Sequence, residues 1–465
     1  MEVSPWPSWV ASPQMAQKLT ETTRRQLSAL AVQAQRRNRT PALVAGVARR
    51  GELLWDAAIG TADLSDPSVP LGPDTQFLVA SNTKTFTAAM IMQLRDEGRL
   101  SLDDTVDARL PDSRHPLTVR QLLSHTSGIQ REPVGNMWDT LEGPDPADTV
   151  ENWNAAERVL PPRRLWHYSN LAYMVLGEMV ARLDGRSWED SLTARLLDPL
   201  ELRRTTTTLV PPHAGLYYVP EFSDVPIEEP VVFTGSTLPA GGLASTVSDL
   251  VRWHAFLMDP DPAILSVDTL EEMRQPQITV DSQWDRAYGL GFDLRRKDGA
   301  IWFGHTGGAP GGITGAFSHA ESRTTSIVLT NQSAAKDPGG AAVGLGSYVL
   351  RNDPAPEDPW VPGAEFPEEL RGVVGLWFSE GSPAFFSVRQ GRLEVRGPQE
   401  PDSTPSTVFV RESEDVYRTT TGSERGERLI VHRRPDGTVW QLNWATYPWT
   451  REPLGFGQPN DAGQV

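Results

Sequence analysis

Apolar positions fall into a four-residue spacing in "FLVASNTKTFTAAMIMQLRDEG" (77–98). Phe86, Met90 and Leu94 recur on one face and Gly98 follows as a stop, which predicts a helix over 82–97. Upstream, a mixed-charge stretch predicts a helix over roughly 14–36. "PALVAGVARRGELLWDAAIG" (41–60) then sets two apolar runs around Arg49-Arg50-Gly51, a hairpin pattern. From about 100 to 270 helical segments alternate with Pro- and Gly-rich loops. The clearest of these helices is "LAYMVLGEMVARLDG" (171–185). Between 286 and 331 the pattern becomes that of strands, in "AYGLGFDLRR", "AIWFGHTGG" and "TTSIVLTNQS". Strands near both ends of this region predict one antiparallel sheet assembled from the two ends of a domain, with the helical middle as a second lobe. The expected class is α/β in the α+β sense.

"RNDPAPEDPWVPGAEFP" (351–367) reads as a Pro- and acid-rich linker between a first domain over 1–350 and a second over 368–465. In the second, "GVVGLWFS", "AFFSVRQGRLEVRG", "STVFVRE" and "RLIVHRRPDGTVWQLNW" alternate and turn at short intervals, with Pro435-Asp436-Gly437 marking a hairpin. This predicts a small all-β domain, a meander closed into a lipocalin-like barrel.

Composition narrows the chemistry. The 465 residues are 38% hydrophobic and 22% charged, a globular balance, and the net charge of −17 with no basic stripe argues against nucleic acid. With no cysteine, disulfides, zinc–thiolate sites and thiol chemistry are excluded. No run approaches the ~18 apolar residues of a membrane span, and the first residues lack the pattern of a secretory leader, so the expectation is a cytoplasmic protein without membrane contact. His115, His213, His254, His319 and His432 lack ligand spacing, and neither a metal nor a cofactor is expected.

Of the 43 lysines and arginines, only Lys18, Lys84, Lys297 and Lys336 are lysines. Lys84 stands three residues after Ser81 at the start of a predicted helix, so both share one face near the unpaired N–H groups of the first turn. A serine needs a base to become a nucleophile, and a lysine is a base when burial lowers its pKa. Arginine does not deprotonate in proteins, which accounts for the residue type at 84. An S-x-x-K pair alone is a weak signal, but two partners follow in order. Tyr168-Ser169-Asn170 precedes the helix at 171–185, and His305-Thr306-Gly307 ends a predicted strand. A serine beside a lysine, a tyrosine from the second lobe and a cationic or donor side chain on an edge strand make an acyl-transfer set.

These residues resemble the serine β-lactamase and penicillin-binding-protein superfamily, in particular its class C, D-aminopeptidase and esterase branches. "DEGRLSLDDTV" (96–106), "LTVRQLLSHTSGI" (117–129), "YSNLAYMVLGEMV" (168–180) and "LPAGGLASTVSDLVRW" (238–253) add to the resemblance, which covers roughly 35–350. Where many relatives carry K-T-G, this chain has His305-Thr306-Gly307, more like the aminopeptidase, esterase and transacylase branches. The resemblance implies Ser81 as nucleophile, with Lys84 and Tyr168 sharing acid–base work. Asn170 and His305 would hold substrate or stabilise the charge on the tyrosine. The oxyanion would sit between the N–H groups of Ser81 and Gly308, with Thr306 and Gly307 beside it.

Three functions follow as expectations. One is a hydrolase for a peptide, amide or ester with a D-configured residue at the acyl site. Another is a stand-alone thioesterase that releases and cyclises nonribosomal peptides, with a carrier protein as partner. The third is a non-catalytic ligand sensor. Oligomeric state is left open. Ser124-His125-Thr126-Ser127-Gly128 reads as structural, "APGGITG" (309–315) as a turn beside the sheet, and Trp138, Trp153 and Trp166 as either an acyl pocket or core.

Overall fold

The structure, a computed structural model, describes residues 18–356, 360, 362–363, 365–401 and 404–458. The chain divides into two compact units, one ending at Pro356 and one containing every strand from Gly375 onward.

The larger unit opens with helix α1 (Glu21–Asn38), which starts where the Thr20 side chain accepts the Thr23 N–H. The expected start at 14 lies outside the described residues. Strands β1 (Ala42–Arg49) and β2 (Glu52–Gly60) form the expected hairpin. Arg50 (φ 52°) and Gly51 (φ 80°) supply its left-handed turn. Helix α2 (Thr83–Asp96) follows, then short helices and loops, helix α3 (Asn170–Asp184) closed by left-handed Gly185, and helix α4 (Val247–Met258). The strand region contains β3 (Ile278–Thr279), β4 (Arg286–Tyr288), β5 (Asp293–Lys297), β6 (Ala300–Ala309), β7 (Gly312–His319) and β8 (Thr324–Thr330). Helix α5 (Pro338–Asn352) ends the unit and runs two residues into the stretch read as linker.

All eight strands join one antiparallel sheet in the order β2-β1-β8-β7-β6-β5-β4-β3. The N-terminal hairpin thus docks on the last strand, with Leu43 opposite Thr330 and Arg49 opposite Thr324. Strand β1 is buried along its whole length. Leu43, Ala45 and Val47 join a core with Leu27 of α1 and Val343 and Val349 of α5. Val44 and Ala48 face the larger core, which holds Phe86 of α2 and Trp253 of α4. Two faces of the sheet are therefore covered by helices, which is why β1 reads as a near-continuous apolar run.

Three departures from the sequence reading have local causes. Helix α2 lacks a single apolar face, since every residue from Thr83 to Leu94 is buried. It runs between the sheet and the helical lobe, with Phe86 stacked 4.0 Å from Trp253. The stretch 287–296 is two strands, because Gly291 bends the chain at φ 91° where a Cβ would stand 2.3 Å from the Ala88 methyl group on α2. The segment read as a turn at 309–315 is largely strand β7. Its glycines obscure the alternation, and Gly315 must be small because a Cβ there would meet Gly339 at 2.6 Å.

The smaller unit is an eight-stranded antiparallel meander: β9 (Gly375–Ser379), β10 (Ser382–Arg389), β11 (Arg392–Arg396), β12 (Thr407–Ser413), β13 (Val416–Thr419), β14 (Arg428–Arg433), β15 (Val439–Trp444) and β16 (Tyr447–Trp449). Phe378 and Thr450 exchange backbone hydrogen bonds of 2.8 and 2.9 Å, which nearly closes it into a barrel. Its interior is filled by Trp377, Phe386, Phe409, Leu442 and Trp444. The turn at Pro435–Gly437 is present, with Gly437 at φ 87°. No helix among the described residues is long and apolar enough to cross a membrane.

Candidate active site

The segment before α2 is a single turn of 3-10 helix, Ala80–Asn82, that carries Ser81. Ala80 is left-handed (φ 45°), an unfavourable conformation for a residue with a Cβ. The surroundings hold it there. The Val79 N–H donates to the Leu243 carbonyl at 2.9 Å. Thr83 Oγ1 donates to the Ala80 carbonyl at 2.6 Å, and Asn82 Nδ2 donates to Thr314 Oγ1 at 3.0 Å. Ser81 is thereby presented at the mouth of a helix N-terminus, on the floor of a cleft of about 470 Å³.

Lys84, one turn along, is completely buried. Its Nζ stands 3.1 Å from Ser81 Oγ, 2.7 Å from Asn170 Oδ1 and 2.5 Å from the Ala240 carbonyl. Burial lowers its pKa well below the usual lysine value; nearby Glu132 opposes this and Arg131 adds to it. Asn170 Oδ1 and the Ala240 carbonyl are acceptors only. A neutral amine therefore spends its two N–H groups on them and turns its lone pair toward the Ser81 hydroxyl. That is the geometry of a base poised to take the serine proton.

Tyr168 precedes α3, whose N-cap is Ser169. Asn170, expected to hold substrate or stabilise the charge on the tyrosine, bridges Lys84 and Glu132. It accepts from Lys84 and donates its Nδ2 to both Glu132 oxygens at 2.9 Å. The Tyr168 hydroxyl is held protonated by burial, opposed in part by its hydrogen bond to Ser81 and by the Arg131 guanidinium. Arg131 lies 4.9 Å over the Tyr168 ring, and Lys84 Nζ 4.8 Å from its centre.

His305 lies within β6, not at its end. β6 pairs with β5 only from Ala300 to Gly304, so from His305 onward that side of the strand is a free edge facing the Ser81 turn. His305 Nδ1 donates to the Thr306 carbonyl, and Nε2 accepts from the Tyr288 hydroxyl at 2.9 Å. Burial, then the charge of Lys84, lowers its pKa to about 4. The imidazole is thus neutral near pH 7 with both nitrogens engaged; of the cationic or donor roles expected from the sequence, it has the donor one, toward the Thr306 carbonyl.

Thr306, Gly307 and Gly308 line the cleft with Ser81. A Cβ on Gly307 would stand 2.1 Å from the Val79 carbonyl oxygen, so β6 reaches the Ser81 turn only as glycine. Gly307→Ala is expected to push Gly308 away from Ser81 and lower kcat/KM by about 10²-fold or more, the cost of losing one oxyanion donor. Wild-type kcat/KM in that variant would place the oxyanion elsewhere.

Ser81, Lys84, Tyr168, Asn170, His305, Thr306, Gly307 and Gly308, the candidates in the sequence, all meet here. Glu132, Tyr288 and the arginines of the cleft, Arg131, Arg286 and Arg295, join them without a sequence motif. Arg286 and Arg295 share the buried Asp293, at 2.8 and 3.1 Å. Of the three tryptophans weighed, Trp138 and Trp166 line the cleft, whereas Trp153 is core and donates to Ser113 Oγ at 2.8 Å. Among the described residues no group of three or more His, Asp or Glu is placed to hold a metal ion.

A sheet flanked by helices, with a serine and a buried lysine at the head of the central helix, defines a class of acyl-transferring serine enzymes. Residues 27–345 match the beta-lactamase family model, and the chain belongs to that family of serine hydrolases. Residues 366–451 match a domain of unknown function, DUF7586. The chain is 30% identical over 275 residues to beta-lactamase-like protein 2 of Dictyostelium discoideum, covering 55% of this chain but only 49% of that protein. It is also 30% identical over 286 residues to penicillin-binding protein 4 of Amycolatopsis lactamdurans, covering 57% of this chain and 74% of the relative. Among solved structures, a D-stereospecific amidohydrolase from Streptomyces sp. superposes with a TM-score of 0.58 at 24% identity, over 70% of this chain and 98% of that one.

Proposed function

We propose that the protein is a serine acyl-enzyme hydrolase or acyltransferase for a peptide, amide or (thio)ester with a D-configured residue at the acyl site. The observation that carries this reading is the buried Lys84 Nζ, 3.1 Å from Ser81 Oγ and held by two acceptor-only partners, Asn170 Oδ1 and the Ala240 carbonyl. Ser81 Oγ attacks the substrate carbonyl while its proton passes to Lys84. The tetrahedral oxyanion rests between the N–H groups of Ser81 and Gly308. The Tyr168 hydroxyl protonates the leaving group, and Lys84 returns the proton to the tyrosine. Water or an amine then attacks the ester on Ser81, with the proton transfers reversed. His305, neutral and tied to Tyr288, shapes the edge of the cleft. The D preference is supported by the fold shared with a D-stereospecific amidohydrolase. The cleft wall of Trp138, Phe233 and Trp166, with Arg131 and Arg286, suits an aromatic or apolar acyl side chain near an anionic group.

The test offers a linear peptide thioester ending in a D-residue beside its L-counterpart, with the products read by mass spectrometry. Faster turnover of the D-form to the linear acid is expected of a D-selective hydrolase. A product one water lighter than that acid makes the peptide's own amine the acceptor. Equal rates for both forms would remove the D preference, and the absence of any acyl adduct on Ser81 would remove the acyl-enzyme.

A further inference from the structure

His125 takes no part in the steps above. It is completely buried, and its backbone is left-handed at φ 55°, a conformation that costs a residue with a Cβ. Two hydrogen bonds run from it to the segment that carries Tyr168. Its carbonyl accepts from the His167 N–H at 2.8 Å, and its Nδ1 accepts from the Ser169 N–H at 3.1 Å. One residue thus holds the chain immediately before and immediately after the tyrosine. Its ring stands 4.3 Å from that of Tyr168, tilted by 39°, and 4.7 Å from that of Tyr288.

Because Nδ1 accepts, the ring proton is on Nε2, which has no hydrogen-bond partner. Burial, then the charge of Lys84, keeps the pKa well below the ordinary histidine value, so the ring stays neutral and adds no charge beside the lysine. A phenyl ring would fill the same space without burying an unmatched N–H. What it would lack is the acceptor for Ser169.

We propose that His125 is a positioning residue that acts through Tyr168, fixing both peptide units that flank it so that the hydroxyl meets Ser81. This rests on the roles given to Ser81, Lys84 and Tyr168 above. The test is a double-mutant cycle on kcat/KM with His125→Ala, Tyr168→Phe and the double variant, plus His125→Asn. Asn puts an oxygen where Nδ1 stands and tolerates a left-handed backbone. His125→Ala is expected to cost about tenfold or more, and His125→Asn to regain most of it. In the Tyr168→Phe background, where no hydroxyl remains to be aimed, His125→Ala should cost less than about twofold. Additive losses, or an Asn variant no better than Ala, would overturn the proposal. If His125→Ala does not fold, His125→Gln replaces it. Its longer side chain carries the acceptor past Ser169, so activity equal to that of His125→Asn would also overturn the proposal. Wild-type activity in Tyr168→Phe alone would remove the tyrosine from the reaction itself, a failure of the site reading distinct from the others.

Discussion

Ser81→Ala is expected to lower kcat by about 10⁴-fold or more, with the fold and substrate affinity intact. The side chain is small and stands at the cleft floor, and its hydroxyl meets Lys84 and Tyr168, neither of which shapes the turn. The strained Ala80 conformation is held by Val79, Asn82 and Thr83, so removing Oγ leaves the turn in place. What disappears is the atom that forms the covalent bond, and Lys84 then has no proton to take. Whole-protein mass spectrometry after mixing with an acylating substrate supplies the check. The wild type should gain the acyl mass and the variant should not. A variant that retained a tenth of wild-type turnover would move the nucleophile elsewhere.

Lys84→Arg should cost about 10³-fold in kcat/KM, because a guanidinium keeps its proton and cannot accept one from serine. Lys84→Met gives the complementary result. It should be similarly inactive yet melt a few degrees higher, since it removes the cost of burying an ionisable amine. The sign follows from linkage. The folded-state pKa of Lys84 lies below its unfolded value, so between the two the unfolded chain binds more protons. Stability therefore rises with pH across that interval, and this part of the slope should vanish in Lys84→Met. Activity moves the same way: kcat/KM should climb as Lys84 loses its proton and level off above its folded pKa. Equal melting temperatures and equal pH slopes in wild type and Lys84→Met would mean that the folded-state pKa of the lysine is not lowered and that it stays charged.

The site was legible wherever chemistry demands a rare residue type. A lysine in an arginine-rich chain three residues after a serine, a tyrosine before a helix and a glycine behind an edge strand each leave a local mark. Glu132 leaves none. It enters through Asn170, and the contact is made by folding two loops together, with no spacing to announce it. Tyr288 is hidden similarly, in a strand whose alternation gives no hint that its hydroxyl meets His305. The charge of His305 was also beyond sequence, since it depends on burial and on Lys84. The fold was legible where periodicity is strong, as in the hairpin at 42–60 and helix α3. It failed at Gly312–His319, where close packing on α5 requires Gly315, which with Gly312 interrupts the strand pattern. The turn carrying Ser81 is likewise set by distant partners: Leu243 behind Val79, Thr314 beside Asn82 and Gly307 against the Val79 carbonyl.

The pairing of β1 with β8 has a consequence for biosynthesis. At translation rates of about 5–20 residues per second, β1 leaves the ribosome on the order of ten seconds or more before Thr324–Thr330 exists to cover its second edge. During that interval "ALVAGVAR" is an apolar strand with an open edge, the kind of segment that recruits other chains. A message truncated before β8 should accordingly yield aggregates. The same delay is protective: Gly307 and Thr314 reach the Ser81 turn late, so a nascent chain carries the serine long before it carries a nucleophile.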